Sequence, residues 1–159
     1  MTTQKEIDKF ISSQQSIHLY KNVQESLKYV LSCMSDDEYK KVTKNLILMV
    51  LHEGAYGQVM HFERKGKFQI IQLTIPKKIP IWILRYIIAH EFGHVLQERN
   101  WKKSDGQKLE EDANDKAKRW GFTRTPKMER WMIAHYKRVS QGISIKENGR
   151  AKQKSGQDK

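Results

Sequence analysis

Residues 80–99, PIWILRYIIAHEFGHVLQER, constrain the fold more than any other part of the chain. Pro80 suits the first turn of a helix, where its missing N–H would have had no partner. The helix predicted from there to about Arg99 carries Ile83, Leu84, Ile87, Ile88, Phe92, Val95 and Leu96, so most of its surface needs covering. In the middle of this apolar run stand His90, Glu91 and His94. Burying three titratable groups there is costly unless something binds them or pairs with them. The cost argues for a ligand without identifying it.

The spacing narrows the choice. Residues four apart on a helix lie one above the other, so His90 and His94 can aim imidazole nitrogens at one ion. A zinc ion would sit about 2.0–2.1 Å from each. Glu91 follows His90 directly, which places its carboxylate beside such an ion and suits a general base acting on a bound water. Two histidines and an open position for water leave one further protein donor to find. Glu98 is eight residues from His90, about 12 Å along the axis and too far to share the ion.

A better donor lies in LEEDANDKAKRWGF, Leu109 to Phe122, predicted as a helix from about Gln107 to Trp120 that stops at Gly121. Glu110, Ala113, Asn114, Ala117 and Trp120 share one stripe by helical spacing, whereas Glu111 and Asp112 fall in line with charged residues. Ala113 and Ala117 would let another helix approach closely. Asn114, one turn on from Glu110, can hydrogen-bond a ligand imidazole and set its orientation. The alternative is an ordinary amphipathic helix with acids in its first turn.

Elsewhere the reading is coarser. Residues 3–12 suggest a helix with Ile7, Phe10 and Ile11 on one side, followed by a linker, SSQQS. Asn22 and Glu25 suggest a capping box opening the next helix, and Ser35 with Glu38 a second one. The helix after Ser35 is expected to run through Leu46, Ile47, Met49 and Val50. QVMHFER and FQIIQLTIP around RKGK predict a hairpin. Thr125 and Pro126 start a last helix. The expected domains are an N-terminal helical extension (1–21), a main domain (22–140) and a disordered basic tail (141–159).

The chain has 159 residues, 38% hydrophobic and 30% charged, which favours one domain in water. Arg85 interrupts the best candidate for a membrane span, and MTTQKEIDKF does not resemble a signal peptide, so no membrane partner and a cytoplasmic location are expected. Cys33 is the sole cysteine, which excludes an internal disulfide and a cysteine-rich zinc ribbon. Between Lys116 and Arg138 eight basic residues face only Glu129, so the net charge of +12 concentrates outside the tail. Such a surface suits nucleic acid or acidic partners, or is simply a solvated helix face.

His90-Glu91-x-x-His94 followed by Glu110-x-x-Ala113-Asn114-x-x-Ala117 resembles the gluzincin metallopeptidases, in particular minigluzincins and the ImmA/IrrE type, over roughly Ser35 to Phe122. The resemblance implies an α+β, zincin-like fold: a small antiparallel or mixed sheet, a backing helix over Ser35–Leu51, a helix with the HExxH motif and a helix bearing the glutamate. It implies one zinc ion held by His90, His94 and Glu110, with Glu91 as catalytic base and a peptide or protein as substrate, one hairpin strand serving as the edge along which it pairs. The expected function is therefore zinc-dependent peptide-bond hydrolysis. His135 and Tyr136, or Tyr86, are candidate donors to the oxyanion. Two other readings stay open: a latent or catalytically quiet metallo-fold that regulates a partner, and a nucleic-acid-binding domain in which zinc is structural.

Overall fold

The computed structural model describes residues 2–51, 57–61, 69–75, 79–97 and 106–135. The chain forms two compact units, Met1–Thr123 and Arg124–Lys159. The first is mixed α+β and mostly helical. It contains α1 (Gln4–Ser13), α2 (Lys21–Ser32), α3 (Asp36–Thr43), β1 (Leu46–Leu51), β2 (Gly57–His61), β3 (Gln69–Thr74), α4 (Ile81–Val95) and α5 (Gly106–Arg119). Among the described residues no helix is long and apolar enough to cross a membrane.

Local sequence accounts for several boundaries. The Ser35 box forms: its hydroxyl accepts from the Glu38 N–H and the Glu38 carboxylate accepts from the Ser35 N–H. Helix α5 ends with Gly121 at φ 92°, and the Phe122 and Gly121 N–H groups return to the Ala117 and Lys118 carbonyls. The box expected at Asn22 does not form. Helix α2 starts at Lys21 behind Tyr20, and the Asn22 side chain accepts from the adjacent Val23 N–H.

The largest departure follows α3. Residues 46–51, expected to continue a helix, form β1 instead. Six consecutive apolar residues fit a buried helix or a strand equally well, and periodicity cannot separate them. Asn45 makes the break in the left-handed region at φ 56°, a conformation asparagine tolerates. The strand then alternates: Leu46 and Leu48 are buried and Ile47 is exposed.

The sheet is mixed, in the order β1-β3-β2. Strands β2 and β3 pair antiparallel as a hairpin should, Gly57 opposite Leu73 and His61 opposite Gln69. Strand β1 lies on the other side of β3 and runs parallel to it, Leu46 opposite Gln69 and Leu51 opposite Thr74. Of the antiparallel or mixed sheet expected, the mixed one forms, its parallel pair being β1 and β3.

The SSQQS segment is not a free linker: Ser12 and Ser13 end α1, Gln14 caps it, and Gln15 and Ser16 open a 3-10 turn, Gln15–Ile17. Gln14 accepts from the Leu48 N–H at 2.9 Å and donates to the Leu46 carbonyl, while the Ser16 hydroxyl donates to the Leu48 carbonyl. These bonds satisfy backbone groups on β1 that the sheet leaves unpaired. Beneath them Ile17, Leu27, Leu31, Leu48, Ile71, Leu73, Leu84, Ile88 and Phe92 form the core.

Helix α4 is buried on almost every face, as its composition requires. In the second unit residues 126–135 are helical, opened by Thr125, whose hydroxyl accepts from the Met128 N–H. The RKGK turn, Tyr136 and the tail 141–159 lie outside the described residues.

Candidate metal centre

His90 and His94 lie one turn apart on α4 and Glu110 in the first turns of α5. The two helices meet at Gly93. A Cβ built there would lie 2.7 Å from the Ala113 carbonyl oxygen and 2.9 Å from the Ala113 Cα. The missing side chain is what admits the α5 backbone, and the buried Ala113 and Ala117 complete the contact.

At this distance three donors converge. The Nε2 atoms of His90 and His94 are 3.1 Å apart, and Glu110 places Oε2 3.2 Å from His90 Nε2 and Oε1 3.4 Å from His94 Nε2. Ligands about 2.0–2.1 Å from a tetrahedral ion are separated by about 3.3 Å along each edge. The spacings therefore fit the group to one small divalent cation. An ion held by these three donors would keep a fourth position for water, and the Glu110 side chain is 59% exposed.

The far side of each imidazole is held by an amide. Asn114 Oδ1 is 3.0 Å from His90 Nδ1 and accepts from the Tyr86 hydroxyl at 2.6 Å. Gln97 Oε1 is 3.0 Å from His94 Nδ1, and its Nε2 donates to the Leu109 carbonyl. Both Nδ1 atoms face acceptors, so each carries its proton, and in the neutral ring the Nε2 lone pair points inward. Two inward-facing ring nitrogens and a carboxylate suit a positive charge between them, a metal ion or a proton.

Glu91 is 5% exposed. Burial first, and the Glu110 charge second, push its carboxyl up to about 8. The cation-free protein thus keeps this acid protonated at neutral pH, and a bound dication draws it back toward the carboxylate form. Stability contributed by the protonated group is full below the unfolded carboxyl's ordinary range and is lost as pH rises through about 8. Over that window the folded chain holds the extra proton, so raising the pH favours unfolding. Thermal melts of chelated protein at about pH 5 and about pH 8.5 should show this loss, and Glu91→Gln should flatten it. Equal pH dependence in both proteins contradicts the assignment.

Tyr86 and His135, the other described candidates, are not among the three donors. Tyr86 is buried, and its hydroxyl donates to Asn114, whose Oδ1 also faces His90 Nδ1. His135 stacks on Trp131 at 5.4 Å in the second unit. Glu98 and His52 lie outside the described residues. Gly93 and Gln97 escaped the sequence reading, although each left a signal. A glycine inside a long apolar helix marks a packing requirement, and Gln97 follows His94 by the three residues that put side chains on one face. Comparison of the chain with known protein families, with curated proteins and with solved structures finds no match, so the reading of this centre stands on its geometry.

Proposed function

We propose that the chain is a zinc-dependent endopeptidase of the gluzincin kind, built on a zincin-like arrangement of α4, α5 and the sheet. The observation that carries this reading is the open three-donor cluster of His90, His94 and Glu110 with the buried acid Glu91 directly beside it in sequence. Structural zinc sites are usually closed by four protein ligands, which disfavours a purely architectural ion. Zinc held here would supply a Lewis acid and lower the pKa of a water.

The chain's own residues supply the rest. Glu91 accepts a proton from the attacking water and returns it to the departing amine nitrogen, so the peptide C–N bond breaks with no net proton change. Its low-dielectric surroundings strengthen each charge interaction in this exchange. Asn114 and Gln97 hold the ligand imidazoles by their Nδ1 protons. Strand β2 packs against α4 and, among the described residues, no strand pairs with its outer side. An extended peptide can add to that edge through main-chain hydrogen bonds, which suits an unstructured substrate.

Purified protein is expected to bind about one equivalent of zinc and to melt higher with the ion than without it. His94→Ala and Glu110→Ala should each abolish that shift, because two remaining donors hold the ion poorly. If metal analysis of protein incubated with zinc finds none, the reading fails.

A further inference from the structure

We propose that Gln97 is a positioning residue for this metal centre, fixing the His94 imidazole as its Nδ1–H tautomer and tying it to the helix that carries Glu110. The proposal rests on the metal reading of His90, His94 and Glu110. Gln97 is half-buried, just beyond the end of α4. Its side-chain nitrogen donates to the Leu109 carbonyl, which only an N–H can do, so the amide oxygen is the atom facing His94 Nδ1 at 3.0 Å. An oxygen in that place requires the imidazole proton on Nδ1. The Nε2 lone pair is thereby left toward His90 Nε2 at 3.1 Å and Glu110 Oε1 at 3.4 Å.

The second bond gives the side chain a wider role. Leu109 immediately precedes Glu110, so one amide bridges a ligand on α4 to the backbone beside the ligand on α5. A shift of that turn of α5 relative to α4 strains both hydrogen bonds together. His90 is held differently, by Asn114 reaching across from α5 with Tyr86 behind it. Each imidazole thus has its own clamp, and both clamps span the two helices.

The test pairs zinc affinity, measured by chelator competition, with proton NMR of the zinc-loaded protein. The unsubstituted chain should show two slowly exchanging imidazole Nδ1–H signals. Gln97→Met keeps the length of the side chain and removes both polar atoms. It should lower zinc affinity by about 10–100-fold and lose one of the two signals, that of His94. Gln97→Glu keeps an acceptor for Nδ1–H but cannot donate to Leu109. It should restore the signal and bring affinity to within about tenfold of the unsubstituted chain. Unchanged affinity in Gln97→Met, retention of both signals there, or no recovery in Gln97→Glu each overturns the proposal. If the unsubstituted chain takes up no zinc, the metal reading falls and the proposal with it. Failure confined to the Gln97 variants leaves that reading standing.

Discussion

Glu91→Gln is expected to keep zinc bound and to slow hydrolysis of an unstructured peptide by about 10²–10⁴-fold. The substitution is nearly isosteric and removes only the capacity to take up a proton. None of the three cluster donors is touched, so zinc content and the metal-induced rise in melting temperature should match those of the unsubstituted chain. Its metal-free form should in fact be the more stable of the two at about pH 8.5, since an amide needs no proton to remain neutral in a site that is 5% exposed. Loss of zinc together with activity would leave the proton-transfer role untested by this substitution alone, so metal content is measured on the same preparation. A zinc-loaded Glu91→Gln protein that retains full activity rules out Glu91 as the base.

Gly93→Ala should destabilise the protein by about 1–3 kcal/mol and weaken zinc binding, although Gly93 itself offers no donor to the ion. The added methyl meets the Ala113 carbonyl oxygen at 2.7 Å and the Ala113 Cα at 2.9 Å. These are backbone atoms and cannot rotate aside. Helix α4 is wedged into the core by Ile88 and Phe92, so α5 must yield. Three residues before Ala113 it carries Glu110, and a metal site tolerates only about ±0.2 Å in its ligand distances. The helix-propensity gain of about 1 kcal/mol for alanine over glycine offsets part of the cost. Gly106→Ala is the matched control, because nothing lies within 4 Å of a Cβ added there. Thermal melts with and without zinc separate the two variants. A Gly93→Ala protein as stable as Gly106→Ala would mean that the helices do not meet at this point.

Much of this is legible in the sequence. Helices α4 and α5 declare themselves by periodicity, by Pro80 and by Gly121, and the stripe Glu110-Ala113-Asn114-Ala117 singled out one acid from three neighbours by helical spacing alone. The Ser35 box was readable because both partners lie within one turn of each other. What failed was the stretch Leu46–Leu51. Its six apolar residues carry no alternation, and the bonds that recruit it into a sheet come from Gln14, Ser16 and β3, all distant in sequence. The role of Gln97 was hidden for a related reason. One of its partners is three residues away, but the other is the Leu109 carbonyl on a different helix.

By itself the sequence determined the chemistry at stake: two imidazoles on one helix face, an acid between them in a run too apolar to leave it unpaired, and one glutamate on a small-residue helix. Only the tertiary structure decided that these groups meet. Spacing along a helix sets which side chains share a face, but the separation of α4 from α5 is set by the contact of Gly93 with the Ala113 backbone. Packing across that contact, with amide clamps behind each imidazole, brings donors from two helices to within the edge length of a single coordination sphere.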